Sequence, residues 1–221
     1  MSSRARAGRT PVPPTFVLVP GAGGSAWYWS RLVPELERRG VPAVAVDLPA
    51  DDDAAGLTAY ADAVVAAAGD APDVVLVAQS MGGLTAPLVC DRLPVRLLVL
   101  LNAMVPLPGE TGGDWWTATG HDVEASGEVF VHDVPAEVLA TAPPQRVQSG
   151  TPFAEPWPLP AWPDVPTVVL AGRDDRFFPV DFQRRVAAER LGLPVTEVPG
   201  GHLAALARPV ELAEQLVALL G

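Results

Sequence analysis

Short apolar segments alternate with longer segments of helical periodicity along most of the chain. The apolar segments are rich in valine and leucine on both strand faces, which is typical of strands in the interior of a parallel sheet. Parallel strands need crossover connections, and the intervening helical segments supply them. The pattern therefore predicts an α/β fold, a mostly parallel six-stranded sheet with helices on both faces. The predicted strands are Thr15–Pro20, Pro42–Leu48, Val74–Ala78, Val95–Leu101, a strand containing Val168–Ala171, and Val195–Val198.

One segment, residues 105–163, interrupts this alternation with many prolines, glycines and tryptophans. Only Pro135–Thr141 in it has a helical pattern. About sixty residues are too few for an independent core, so the segment is interpreted as a lid inserted into a single domain, residues 14–221. Residues 1–13 are basic and polar without the apolar core of a secretory signal, and are expected to form a flexible leader. The predicted helices of the domain are Ala26–Arg39, Leu57–Ala68, Gly82–Asp91, Val180–Leu191 and Leu203–Leu219.

Charge and composition narrow the possible functions. The 221-residue chain has a net charge of −11 and no basic cluster, which argues against binding nucleic acid or an anionic membrane. No apolar run is long enough to span a bilayer. We therefore expect a cytoplasmic protein, a monomer or weak homodimer, whose partner is a small molecule. All 15 basic residues are arginine, which excludes chemistry by a lysine amine, and the single cysteine, Cys90, excludes an internal disulfide and is expected in the core.

A serine follows the third predicted strand in the run Ala78-Gln79-Ser80-Met81-Gly82, immediately before a predicted helix. This strand–turn–helix context is the one in which a small-x-Ser-x-Gly elbow presents a nucleophile. Small residues two positions before and after the serine let strand and helix approach each other. The turn also places the N–H of Met81 at a helix N-terminus, where it can stabilise an oxyanion. The alternative is an ordinary serine in a tight turn.

A serine nucleophile needs a base and an acid that orients the base. His202 follows the sixth strand on a glycine loop, at the same sheet edge as Ser80. Asp174 and Asp175 both follow the fifth strand, and the spacing alone does not choose between them. The other two histidines, His121 and His132, lie in the insertion without metal-ligand spacing, so no metal is expected.

With Ser80, an aspartate and His202 in this order, and a glycine loop at Gly21–Gly24 after the first strand, the chain resembles the α/β-hydrolase fold family. The likeness is to small serine esterases with a methylesterase-like N-terminal loop. It covers nearly all of the chain except the leader and the insertion. The resemblance implies a strand order of 2-1-3-4-5-6, with the family's first two strands missing. It also implies a crevice where the order reverses between strands 1 and 3.

The family's sequence patterns assign roles to individual residues. Its G-x-x-D-x-x-x-P pattern selects Asp175 over Asp174, and its oxyanion loop makes the N–H of Ala22 a second oxyanion donor beside that of Met81. Pro20 replaces the histidine that the family usually has there, so the hydrogen bonds that hold this loop are expected to differ. A triad of Ser80, Asp175 and His202 is thereby predicted.

The predicted function is hydrolysis of a carboxylic ester or thioester of a small, largely apolar substrate through an acyl-enzyme, without a cofactor. The substrate is expected to contact Gly21, Trp27, Met104, Trp115 and Trp116, the aromatic residues forming apolar walls beneath the lid. Two alternatives remain open. The same triad is compatible with a lyase, carbon–carbon cleavage or cyclisation step, and the scaffold is compatible with a binding module that lacks catalysis.

Overall fold

A computed structural model describes residues 13–122, 124 and 127–221 of the chain. The predicted leader, residues 1–13, lies outside this part except for its last residue. Neighbouring strands all run parallel, in the order β2-β1-β3-β4-β5-β6, so the expected order is confirmed and the sheet is parallel throughout. The strands are β1 (Thr15–Val19), β2 (Ala43–Ala45), β3 (Val74–Gln79), β4 (Val95–Leu101), β5 (Thr167–Gly172) and β6 (Val195–Val198).

Each face of the sheet carries its own hydrophobic core, because successive side chains of a strand point to opposite faces. In β1, Val17 and Val19 belong to one core and Phe16 and Leu18 to the other, and all four side chains are fully buried. β3 is buried along its whole length. Burial on both faces explains why these strands lack a polar alternation in the sequence.

Helices cover both faces of the sheet. The core that contains Val17 also contains residues of α2 and α8, whereas the core that contains Phe16 includes residues of α1 and α10. The helices are α1 (Leu32–Arg38), α2 (Leu57–Ala68), α3 (Gly82–Thr85), α4 (Gly112–Thr119), α5 (Gly127–Val131), α6 (Ala136–Leu139), α7 (Thr151–Ala154), α8 (Val180–Leu191), α9 (Ala204–Ala207) and α10 (Pro209–Ala218). Single 3₁₀ turns occupy Ala26–Trp29 and Ala86–Val89.

Proline interrupts three of the predicted helices. Pro34 lies in the first turn of α1, Pro87 in the 3₁₀ turn after α3, and Pro209 at the first position of α10. Proline has no backbone N–H and is tolerated only where a helix begins. The continuous helices predicted around these positions are therefore each replaced by two shorter segments.

In the described residues of the insertion there are four helices, α4 to α7. A helix was expected at Pro135–Thr141, where α6 lies, but the expectation that no other part of the insertion is helical was wrong. The longest of them, α4, begins at Thr111, whose side chain accepts a hydrogen bond from the N–H of Asp114. It ends at Gly120 in the left-handed conformation, a common helix stop. The first turn of α4 contains two glycines, which have a low helix propensity, so the sequence does not predict this helix.

Hydrogen bonds and an ion pair attach side chains of the insertion to helices and a loop around the sheet. The Glu155 carboxylate accepts the N–H of Leu57 at 2.7 Å at the start of α2, and Arg146 donates to the carbonyl oxygen of Leu48 at 3.0 Å. A buried ion pair joins Glu110 to Arg190 of α8. The insertion is therefore attached near its start, through Glu110 to α8, and near its end, through Glu155 to the start of α2.

Candidate active site

Ser80 lies in a strained turn between β3 and α3. Its φ is +52°, a conformation that side chains other than glycine rarely adopt and that costs of order 1–3 kcal/mol. Its N–H donates to the carbonyl oxygen of Asn102 at 3.1 Å, which holds the turn against the end of β4. A Cβ on Gly82 would lie 2.8 Å from the carbonyl oxygen of Pro20, so the small residue predicted there is needed for close packing.

The three predicted triad side chains are joined by hydrogen bonds. Nε2 of His202 lies 3.0 Å from Oγ of Ser80, and Nδ1 of His202 lies 2.8 Å from Oδ2 of Asp175. The histidine is 2% exposed and the aspartate 5% exposed, so water competes little for the bond between them, whereas Ser80 is half-buried. The three residues follow β3, β5 and β6, which end at the same sheet edge.

Asp175 is held in place by backbone donors. Its Oδ1 accepts the N–H groups of Phe177 and Phe178, both at 2.8 Å, which leaves Oδ2 for His202. Because a carboxylate only accepts hydrogen bonds, Nδ1 of His202 carries the proton and Nε2 presents its lone pair to the Ser80 hydroxyl. The neighbouring Asp174 is exposed, and its Oδ2 accepts a hydrogen bond from the N–H of Gly200 at 3.4 Å. The geometry distinguishes the two aspartates in the same way as the sequence pattern.

The glycine loop after β1 approaches Ser80 closely. A Cβ on Gly21 would lie 2.7 Å from Cβ of Ser80. The N–H of Gly21 donates to Gln79 Oε1, that of Gly23 to Gln148 Oε1, and that of Gly24 to the Gly21 carbonyl oxygen. Within the described residues, the N–H of Ala22 is the one in this loop that donates to no protein acceptor, and Ala22 is exposed.

Aromatic rings surround His202. The ring centroids of Phe130, Phe177 and Phe178 each lie 5.2–5.3 Å from that of His202. Phe130 belongs to α5, so the insertion contacts the histidine directly. His121 packs against Phe177 with 4.9 Å between the ring centroids, and burial lowers its pKa. Phe177 and Phe178 are buried and pack around the imidazole, whereas Phe130 is half-buried.

Two of the residues predicted to contact the substrate are buried in the core. Trp115 and Met104 are each 1% exposed, and the indole N–H of Trp115 donates to the carbonyl oxygen of Val105 at 3.0 Å. Their expected place as pocket walls is therefore not what this structure shows. Trp115 packs edge to face against Trp116, and its role is to support the lid.

Of the remaining predicted contact residues, Trp27 and Trp116 are half-buried and Gly21 is buried. Trp116 is half-buried, with its ring centroid 5.9 Å from that of Phe177. Trp27 is also half-buried and its indole N–H lies 3.4 Å from Oγ1 of Thr141 in the lid. Gly21 lies against Ser80, as described above. A role for these three residues in binding a substrate stays a prediction.

Two polar residues at the site were not predicted from the sequence, the buried Asn102 and the half-buried Asp133. Asn102 follows β4 with φ +47°, and its amide nitrogen donates to the carbonyl oxygens of Gly201 and His202. Asp133, in the lid, accepts the N–H of Gly201 at 2.7 Å. Asn102 could have been predicted as a site residue, because it is a polar residue directly after an apolar strand. Nothing in the sequence predicts the hydrogen bond between Asp133 and Gly201.

The histidines of the insertion take part in packing. His132 Nε2 lies 3.0 Å from the carbonyl oxygen of Asp174, and His121 Nε2 lies 2.8 Å from that of Phe177. Among residues 13–122, 124 and 127–221, no group of three histidine, cysteine or acidic side chains is placed to hold a metal ion. In the same residues, no helix has the length and apolar character needed to cross a membrane.

This combination of sheet order, strained serine turn and hydrogen-bonded histidine is the architecture of α/β-hydrolases. A sequence profile described as the alpha/beta hydrolase family matches residues 16–215 of the chain. The match covers most of the chain, and the protein therefore belongs to the alpha/beta hydrolase family.

Named relatives resemble part of the chain. The probable esterase PIR7A of Oryza sativa subsp. indica is 38% identical over an alignment of 111 residues that covers 44% of this chain and 42% of the rice protein. Methylesterase 3 of Arabidopsis thaliana is 34% identical over an alignment of 103 residues that covers 41% of this chain and 39% of that protein. Each match thus spans about two fifths of the relative's length.

Solved structures show the likeness over the whole fold. The methylesterase protein MES16 from Arabidopsis superimposes with a TM-score of 0.76, covering 94% of this chain and 98% of that chain. The sequence identity is 22%, so this similarity establishes the fold. The expected fold class is confirmed.

Proposed function

We propose that the protein hydrolyses a carboxylic ester, or a thioester, of a small and largely apolar substrate. The observation that carries this proposal is the continuous hydrogen-bonded chain from Ser80 through His202 to Asp175. The names of the relatives, esterase and methylesterase, support it.

In the proposed first half-reaction, the Ser80 hydroxyl attacks the ester carbonyl carbon while His202 Nε2 takes its proton. The resulting imidazolium is stabilised by the Asp175 carboxylate on Nδ1. The N–H groups of Ala22 and Met81 are proposed to stabilise the oxyanion of the tetrahedral intermediate. Collapse of this intermediate expels the alcohol or thiol, which receives the proton from His202, and leaves an acyl group on Ser80.

In the second half-reaction, water attacks the acyl group with His202 again as general base. The acid departs and the Ser80 hydroxyl is regenerated. Trp27 and Trp116, both half-buried, are proposed to contact the apolar part of the substrate. The half-buried ring of Phe130 beside His202 favours an uncharged group next to the imidazole.

A series of p-nitrophenyl esters from acetate to decanoate tests this proposal. The wild-type protein is expected to hydrolyse one or more of them, and Ser80→Ala to lose at least about 1,000-fold in kcat/KM because the nucleophile is gone. Ser30→Ala is the matched control, since Ser30 is an exposed serine outside the site. Absence of hydrolysis with every ester, or equal rates for wild type and Ser80→Ala, would contradict the proposal.

A further inference from the structure

Gln79, the residue before Ser80, joins the two loops that flank the serine. Its side chain is 4% exposed at the end of β3. Its Oε1 accepts the N–H of Gly21 in the glycine loop at 3.2 Å. Its Nε2 donates to the carbonyl oxygen of His202 at 3.2 Å. One amide group therefore connects the loop before the oxyanion donor Ala22 with the backbone of the proposed general base.

The orientation of the Gln79 amide is determined by its two partners. Gly21 offers an N–H, which only an oxygen can accept, and His202 offers a carbonyl oxygen, which only an N–H can approach favourably. A flipped amide would oppose two donors at one end and two acceptors at the other. The rigid, planar Gln79 amide thus fixes the position of the glycine loop relative to the loop that carries His202.

Among the described residues, one other hydrogen bond restrains Gly21: its carbonyl oxygen accepts the N–H of Gly24 at 3.0 Å. Pro20 precedes it and has no backbone N–H, so it cannot donate a hydrogen bond there. The Gly21 N–H is adjacent to the peptide that carries the N–H of Ala22. Losing the bond to Gln79 leaves a buried donor unpaired, and relieving it requires a rotation that also turns the Ala22 peptide.

We propose that Gln79 is a positioning residue that sets the oxyanion loop and the His202 loop relative to Ser80. This inference rests on the proposed hydrolase function. Gln79 touches no reacting atom, so its effect acts through Ala22 and His202. Small displacements of such groups are costly because transition-state stabilisation depends on donor distance and direction.

The test compares Gln79→Met with the wild-type protein on the best p-nitrophenyl ester. Methionine has nearly the same length without either hydrogen bond. We expect kcat to fall by about 10- to 100-fold, with KM changed less than about threefold, because the bonds act on the transition state. In Gln79→His, the neutral imidazole has one donor and one acceptor nitrogen, joined through one carbon as the amide nitrogen and oxygen of glutamine are. This variant is expected to recover part of the lost kcat.

Thr167→Val is the matched control for the loss of two hydrogen bonds. Oγ1 of Thr167 donates to the carbonyl oxygen of Val165 and accepts from the indole N–H of Trp162, at the opposite edge of the sheet. This variant is expected to lose thermal stability while keeping kcat at temperatures well below its unfolding transition. A Gln79→Met variant that likewise loses stability but keeps wild-type kcat would overturn the positioning role.

Two further results have separate meanings. If the wild-type protein hydrolyses esters and Gln79→His is no faster than Gln79→Met, the proposed hydrogen-bond mechanism is refuted while the function stands. If the folded wild-type protein neither hydrolyses any ester nor reacts with a fluorophosphonate, the proposed function fails and the inference fails with it.

Discussion

The buried ion pair between Glu110 and Arg190 allows a quantitative prediction for lid attachment. The two side chains are 9% and 7% exposed, and Nη2 of Arg190 lies 2.8 Å from Oε1 of Glu110. Nη1 of Arg190 also donates to the carbonyl oxygen of Val105 at 2.7 Å. Arg190 thus connects α8 to the chain at the start of the insertion. Arg190→Met removes this connection while keeping much of the apolar stem.

The substitution leaves the Glu110 carboxylate buried without its counter-ion. Breaking a buried pair by removing one partner costs about 3–5 kcal/mol of the free energy of unfolding. For a chain of this length, about 2–4 °C of Tm corresponds to each kcal/mol, so Tm should fall by roughly 6–20 °C. Replacing both residues, as in Arg190→Met with Glu110→Gln, removes the unpaired charge and should recover at least half of the loss.

Urea unfolding followed by tryptophan fluorescence, together with calorimetry, measures these changes. Arg92→Met is the matched control, because Arg92 pairs with Asp62 at the surface, where the two side chains are 38% and 61% exposed. Its loss should stay below about 1 kcal/mol. A loss for Arg190→Met no larger than that of Arg92→Met would refute the reasoning, as would a double variant less stable than the single one.

Two other predictions concern the lid. Asp133→Ala removes the acceptor of the Gly201 N–H beside His202 and should lower kcat for a p-nitrophenyl ester about 10-fold. Asp133→Asn keeps an acceptor and should have a kcat near that of wild type. Equal kcat values for the two variants would contradict this prediction. Burial lowers the pKa of His121, so below pH 6.5 the unfolded chain binds a proton at this histidine more readily than the folded chain does. The neutral, buried His121 therefore contributes to the free energy of unfolding above pH 6.5, and this contribution is lost as the pH falls below that value. In urea titrations between pH 7 and pH 5, His121→Phe should therefore lose less stability than wild type, and an equal or greater loss would contradict the assignment.

The elements that position the site follow from local patterns in the sequence. β3 is a continuous apolar run, and α2 and α8 are observed with the predicted bounds, Leu57–Ala68 and Val180–Leu191. The residues after the parallel strands had to meet at one edge, which is why Ser80 and His202 were expected to be neighbours. These inferences need only periodicity, turn chemistry and parallel topology.

The lid depends on interactions that no local pattern contains. Its segments are attached through single long-range bonds, such as Glu155 to the start of α2 and Asp133 to Gly201. Trp115 was expected at a pocket wall because a tryptophan in a lid has the right size and polarity. The structure places it at 1% exposure, since its partners Phe178 and Phe182 come from a distant part of the chain. Sequence spacing does not distinguish an aromatic residue that packs the lid from one that lines a pocket.

The central claim is that the Ser80 hydroxyl is a nucleophile activated by His202. Intact-mass spectrometry after treatment with a fluorophosphonate tests it most directly. We expect a single adduct on wild type and on Ser30→Ala, located by peptide mapping to Ser80. Ser80→Ala should form no adduct, and His202→Ala should be labelled far more slowly. A folded wild-type protein without an adduct, or an adduct that persists in Ser80→Ala, would contradict the claim.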